Sequence, residues 1–134
     1  MARLYKNINV WHLGYGFVLK IYKLTEKFPK EEINNLISQM RRAATSIPLN
    51  IAEGSTKRSH KEFLNFLSYA YGSAKELEVL LMLSKDLKYI TNDEYEKAEK
   101  ELDSLMAKLF LFISNIEKRI NDKKYNFFRK FKSE

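Results

Sequence analysis

Gln39-Met40-Arg41-Arg42-Ala43-Ala44-Thr45-Ser46-Ile47-Pro48-Leu49-Asn50-Ile51-Ala52-Glu53-Gly54 reads as one amphipathic helix with two stripes. Its apolar stripe is Ile33, Leu36, Ile37, Met40, Ala43, Ala44, Ile47 and Ile51, at helical spacing. The second stripe, Asn35, Gln39, Arg42, Ser46, Asn50 and Glu53, is polar and lies roughly 115° around the helix. A helix that only covers its own core needs one stripe. The second consists of hydrogen-bonding residues rather than solvating Lys and Glu, which suggests a second contact surface. Pro48 removes one backbone hydrogen bond and crowds the carbonyl of Ala44. The unbroken apolar register to Ile51 predicts a bend there, with two shorter helices as the alternative.

Three more helices extend outward from this one. The first spans Asn9 to Thr25, with Asn9 expected as its N-cap and Val10, Phe17, Ile21, Leu24 and Phe28 facing inward. Phe28-Pro29 closes it, because a residue before Pro leaves the α region. The second helix is expected to open near Pro29, with Glu31 and Glu32 in its first turn, and to stop at Gly54. The third opens with the capping box Ser59-His60-Lys61-Glu62. Phe63, Leu67, Ala70, Ala74, Leu77 and Leu81 then alternate steps of four and three, with Phe66 and Leu80 widening the stripe. Gly72-Ser73-Ala74 suggests a closely approaching neighbour, since a helical Gly costs ~1 kcal/mol against Ala. The fourth opens with Thr91-Asn92-Asp93-Glu94 and carries Tyr95, Ala98, Leu102, Leu105, Leu109, Phe112 and Ile116 inward. Short connections favour antiparallel neighbours, so the expected fold is an all-α, up-down-up-down four-helix bundle over residues 1–120. Residues 121–134 lose the heptad and form a basic, aromatic tail.

Composition agrees. The chain has 134 residues, enough for one domain with a real core, and only 4 Gly and 2 Pro, which argues against a turn-rich β fold. Zero Cys excludes disulfides and Cys-based metal or thiol chemistry. No apolar run approaches the ~20 residues of a membrane span. The first residues lack the apolar core of a secretory signal, so a cytoplasmic location is expected.

The net charge of +7 is concentrated at one end of such a bundle. There the topology gathers twelve cations: Arg3, Lys6, Lys57, Arg58, Lys61, Lys118, Arg119, Lys123, Lys124, Arg129, Lys130 and Lys132. Against them stand Glu53, Glu62, Glu117, Asp122 and Glu134. At the other end five lysines face seven carboxylates. Tyr125, Phe127, Phe128 and Phe131 interleave with the basic tail, a mixture that suits phosphates and unstacked bases. The bland alternative is a solvated basic tail with no ligand.

Catalytic constellations are missing from the sequence. His12 and His60 are the only histidines, and no Glu-x-x-His, His-Glu-x-x-His, Gly-x-Ser-x-Gly or phosphate loop occurs. His60 is expected at the surface of a capped helix, His12 in packing or capping, and Trp11 as a core or interface anchor. No enzyme activity and no cofactor or metal is expected.

The stretch Gln39–Gly54 resembles the signature of the rRNA intervening-sequence protein family, small four-helix-bundle proteins of bacteria. The resemblance extends to Val10-Trp11, to Ile21-Tyr22-x-Leu24-Thr25-x-x-Phe28-Pro29 and to Ser59-x-Lys61-Glu62-Phe63-x-x-Phe66-Leu67. It continues through Gly72-Ser73-x-x-Glu76-Leu77-Glu78 and covers about residues 8–118. Gly14 and Gly16 depart from it, standing where helix-favouring residues are usual. The resemblance implies a homopentamer of bundles around a central channel, a gene sometimes found within large-subunit rRNA genes, and no established catalytic activity. A related branch, the accessory variability proteins of diversity-generating retroelements, works with nucleic acid and a reverse transcriptase through basic surfaces. By position the motif residues here are Arg41, Arg42, Ser46, Asn50, Glu53 and Gly54.

Two sets of site residues follow. Arg3, Lys57, Arg58, Lys61, Lys123, Lys124, Arg129 and Lys130 are expected to contact RNA or DNA without sequence preference. Gln39, Arg42, Ser46, Asn50 and Glu53 are expected at a contact between subunits. A scaffold that steers an acidic or nucleic-acid-processing protein partner is the alternative function.

Overall fold

A computed structural model describes residues 4–132, with side chains to Ile120. Four α-helices follow a 3-10 turn at Tyr5–Asn7: α1 (Asn9–Thr25), α2 (Leu36–Ser55), α3 (His60–Asp86) and α4 (Asn92–Lys132). No strand occurs among the described residues. The helices form a four-helix bundle in which α2 packs on α1 and α3, α3 on α4, and α1 more thinly on α4.

The core is the one the periodicity predicts. Met40, Ala44, Ile47 and Ile51 of α2 are wholly buried, as are Leu67, Ala70, Ala74 and Leu77 of α3. Each large aliphatic side chain so buried contributes about 1.5–3 kcal/mol. Leu102, Leu105, Leu109 and Ile116 close the core from α4. Ile33 departs from the expected stripe and is exposed, because α2 begins later than expected. Lys30–Glu32 instead forms a separate 3-10 turn, which suits Pro29 and its restricted φ.

Helix ends show where side chains satisfy orphan backbone groups. Ile8, not Asn9, caps α1, and without a side-chain hydrogen bond, so Asn9 is the first helical residue. Ser59 caps α3, its Oγ accepting the Glu62 N–H at 3.1 Å. Thr91 and Glu94 form a complete capping box: Glu94 N–H donates to Thr91 Oγ1 at 3.1 Å and Thr91 N–H to Glu94 Oε1 at 2.8 Å. The end of α3 is a Schellman motif, with Tyr89 N–H bonded to the Ser84 carbonyl and Lys88 N–H to that of Lys85. Lys88 takes the left-handed position usually given to Gly, at φ 64°. No residue interrupts α4 at 120/121; the helix continues to Lys132.

Close approach is set by small residues against α2. A Cβ on Gly14 would lie 3.1 Å from Ile47 Cγ2 and 3.7 Å from Pro48 Cδ, so α1 seats directly over the proline. α2 remains one helix across Pro48. Gly54 does not stop α2, which continues through Ser55, and it has no positive φ. Its role is proximity: a Cβ there would lie 2.7 Å from Phe66 Cβ and 2.9 Å from Phe63 Cδ1. Gly72, expected to admit a neighbouring helix, is exposed and a Cβ there meets nothing within 4 Å.

The two helical glycines should therefore respond with opposite signs to the same change. Gly54→Ala should lower unfolding free energy by about 1–3 kcal/mol through overpacking. Gly72→Ala should raise it by up to about 1 kcal/mol through helix propensity. Urea denaturation of the two variants checks both.

Candidate nucleic-acid interface

The corner between α2 and α3 is built by local hydrogen bonds. Thr56 Oγ1 donates to the Glu53 carbonyl at 2.7 Å, and the Thr56 and Lys57 N–H groups close the end of α2. Ser59 then starts α3. Gly54 holds the two helices together beneath this turn. The result places Lys57, Arg58 and Lys61 within five residues of chain on one corner. Lys57 is half-buried, its ammonium 5.0 Å above the Phe66 ring, and Phe66 meets Tyr69 edge-on at 6.0 Å. Arg58 and Lys61 are exposed and form no ion pair with a described residue.

Two further cation-bearing segments pack on these helices. The 3-10 turn bearing Lys6 packs against α2. His12 Nε2 lies 2.6 Å from the Lys6 carbonyl, tying the turn to α1. Beside it, Trp11 stacks on Tyr15 at 5.2 Å and meets Tyr5 edge-on at 4.8 Å. Trp11 is half-buried against the core, and His60 is half-buried as the first residue of α3. Phe63 in the first turn of α3 contacts Phe112 at 5.9 Å, and α4 continues from there with exposed Lys118 and Arg119. Arg3, and Lys123, Lys124, Arg129 and Lys130 with the tail aromatics, lie outside the residues whose side chains are described.

At the opposite end several charged groups are engaged within the fold. Lys27 bonds Glu94, and Lys85 sits 4.5 Å above the Tyr95 ring. Tyr89 donates to Glu32 Oε2 at 2.8 Å, while Glu32 Oε1 accepts from Asn35 Nδ2 at 3.0 Å and from the Leu36 N–H at 3.4 Å. Glu32 thus caps α2 from outside the helix, a role Asn35 does not fill. The Tyr89 bond, with those of Leu36 and Asn35, holds the Glu32 carboxyl below its ordinary pKa. Lys27 does the same for Glu94, aided by the Thr91 N–H. The Tyr95 hydroxyl, which donates to Glu99, is pushed up to about 12.

The α2 polar stripe divides. Ser46 Oγ accepts from Ser73 Oγ at 2.7 Å and from Asn50 Nδ2 at 2.8 Å, so Ser46 and Asn50 serve the seam between α2 and α3. Gln39, Arg42 and Glu53 are exposed. Arg41, outside both expected sets, is the arginine the fold uses. Its Nε donates to Thr25 Oγ1 at 2.9 Å, Nη2 to the Tyr22 carbonyl at 3.4 Å, and its guanidinium lies 4.5 Å over the Tyr22 ring. Thr25, the partner in this clamp, is buried, and helical spacing gives no signal for the contact.

Between α1 and α4 lies a cleft of about 390 Å³ floored by Leu13, Phe17 and Leu105. Its rim charges Lys20 and Glu101 pair with each other. No group of three metal-ligating side chains occurs among the described residues, and none of their helices is long and apolar enough to cross a membrane.

The family model of the 23S rRNA-intervening sequence proteins matches residues 6–110, and the chain belongs to that family. A similar solved structure is a protein of unknown function from the S23 ribosomal protein family of Bacteroides thetaiotaomicron VPI-5482. It is 28% identical with a TM-score of 0.70, over 78% of this chain and 97% of that one. No curated protein matches the chain. Of the expected nucleic-acid contacts, Lys57, Arg58 and Lys61 fall inside the family match, whereas Arg3 and the tail cations fall outside it.

The depressed carboxyls set an acid response. Their unfolded values are ordinary and their folded values lower, so their stabilisation is full above the ordinary range and is lost as pH falls through the folded values. Glu32→Gln should lower the Tm near neutral pH and flatten its decline between about pH 5 and 2. Thermal melts across that range check this.

Proposed function

We propose that this protein is a non-catalytic, self-assembling bundle that binds RNA or DNA without sequence preference through its basic end. The observation that carries the reading is the contrast between ends. At the acidic end seven carboxylates outnumber five lysines, and Lys27 and Lys85 sit on Glu94 and the Tyr95 ring, whereas at the basic end Arg58, Lys61, Lys118 and Arg119 are exposed and form no ion pair with a described residue. Exposed cations without carboxylate partners among the described residues are available to a phosphate backbone. Arg3, Lys123, Lys124, Arg129 and Lys130 would extend the surface.

The bundle is read as antiparallel, up-down-up-down. Contacts support this by running in opposite chain order: Gly14 with Pro48 and Thr25 with Arg41, Met40 with Ser84 and Ser46 with Ser73, Phe63 with Phe112 and Lys85 with Tyr95. That topology brings the first turn, the α2–α3 corner and the end of α4 together. A homopentamer, as the family resemblance implies, would ring several such ends and multiply weak contacts through effective concentration. Such a protein would act in the cytoplasm. The second reading, a scaffold for an acidic or nucleic-acid-processing protein, is favoured by exposed Val79, Met82 and Leu83 on α3.

Fluorescence anisotropy with single strands, duplex DNA and structured RNA across a salt series tests the reading. Wild-type protein should bind in the micromolar range or tighter, weakening with salt. Arg58→Glu with Lys61→Glu should weaken binding roughly ten-fold at 0.1 M salt and flatten the salt slope by about one to two. Unchanged binding by this double variant would refute the corner's role.

A further inference from the structure

Two of the chain's glycines are explained by contact, Gly14 against Ile47 and Gly54 against Phe63 and Phe66. Gly72 stands on open surface. Gly16 is different. It is half-buried and lines the cleft between α1 and α4, yet a Cβ there would meet nothing within 4 Å. Glycine inside a helix costs stability, and no close approach accounts for it here. Its missing side chain leaves the cleft open.

The cleft holds about 390 Å³ above Leu13, Phe17 and Leu105, within the range of small-ligand sites. The floor is apolar. The rim can both donate and accept: Lys20 donates, Glu101 accepts and the Ser104 hydroxyl does either. Lys20 and Glu101 face each other, but their side chains are 59% and 41% exposed. Ion pairs so exposed add little stability, so either group can turn to a ligand. The same pair lines a smaller depression toward Leu24 and Glu94, and so marks one end of the cleft. Two cations flank the rest. Lys108 stands one helical turn beyond Ser104, and His12 on the cleft wall holds the Lys6 carbonyl. Lys6 and Lys108 are exposed and form no ion pair with a described residue.

We propose that this cleft takes one unpaired nucleobase of a single-stranded RNA or DNA, with the neighbouring phosphates on Lys6 and Lys108. A base has two flat apolar faces for the floor and an edge carrying both donors and acceptors for the rim. An acyl chain would use the floor and leave the rim groups unanswered. A simple anion would use Lys20 and leave the floor empty. The inference rests on the nucleic-acid reading above and adds to it a preference for unpaired strands, because bases within a duplex have their faces covered.

The test is fluorescence anisotropy with two labelled strands of equal length, one an ordinary oligonucleotide and one carrying an abasic spacer at every position. Wild type is compared with Gly16→Leu and Ser104→Leu, each of which adds a side chain to the cleft wall, and circular dichroism verifies folding. Ser104 is exposed, so its variant carries the test if Gly16→Leu unfolds. Wild type should bind the ordinary strand about ten-fold tighter than the abasic one. Each folded variant should lose most of that preference while binding the abasic strand as wild type does. A wild type that binds neither strand would overturn both the nucleic-acid reading and this inference. Equal binding of the two strands by wild type, or a preference kept in full by a folded variant, would overturn the inference alone. So would a free nucleoside monophosphate that binds as tightly as the ordinary strand, which would make the cleft a site for free nucleotides.

Discussion

The seating of α2 against both its neighbours is the constraint on which the bundle depends. At one point Gly14 lets α1 lie over Ile47 and Pro48, and at another Gly54 lets α3 begin directly against α2. The missing Cβ atoms matter because protein interiors are close-packed and do not absorb a methyl group freely. With α2 held on both sides, the turn from Thr56 to Ser59 is completed by the Thr56 hydroxyl donating to the Glu53 carbonyl and the Ser59 hydroxyl accepting from the Glu62 N–H. The loss of one helix bond at Pro48 is offset by burial of Ala44, Ile47 and Ile51 around it.

The two ends of the molecule follow from this frame but differ in chemistry. At the acidic end, Glu32 bonds Tyr89 and the start of α2, and Glu94 bonds Lys27 and Thr91. Those groups are committed to the fold. At the basic end the fold relies on glycine, hydroxyls and aromatic rings, and Arg58, Lys61, Lys118 and Arg119 stand exposed. A polyanion would meet groups whose removal costs the fold little, which is what a surface for changing ligands requires.

Much of this was legible in the sequence because periodicity and caps are local signals. The α1 span, the buried faces of α3 and α4, the Ser59 cap and the Thr91 box all follow from spacing, although at Ser59 the Glu62 carboxylate accepts from the Ser59 hydroxyl rather than from its N–H. What was misread depends on neighbours distant in sequence. Gly54 looks like a helix stop because Gly commonly is one, yet its meaning lies in Phe63 and Phe66. Asn9 and Ile33 were misplaced by a residue or a turn at fraying helix starts, where the boundary is set by backbone geometry. Arg41 and Ser46 carry long-range bonds to Thr25 and Ser73 that no spacing rule anticipates. The candidate corner was found through charge and topology together, since +7 alone identifies no surface.

The most direct test of the basic end is a lysine-reactivity footprint of the full chain with and without single-stranded RNA, read by mass spectrometry. Every lysine then serves as a probe in one molecule. The account predicts that Lys57, Lys61 and Lys118 lose reactivity on binding while Lys23, Lys30 and Lys88 at the far end do not. Equal protection at both ends, or protection confined to the far end, would contradict it.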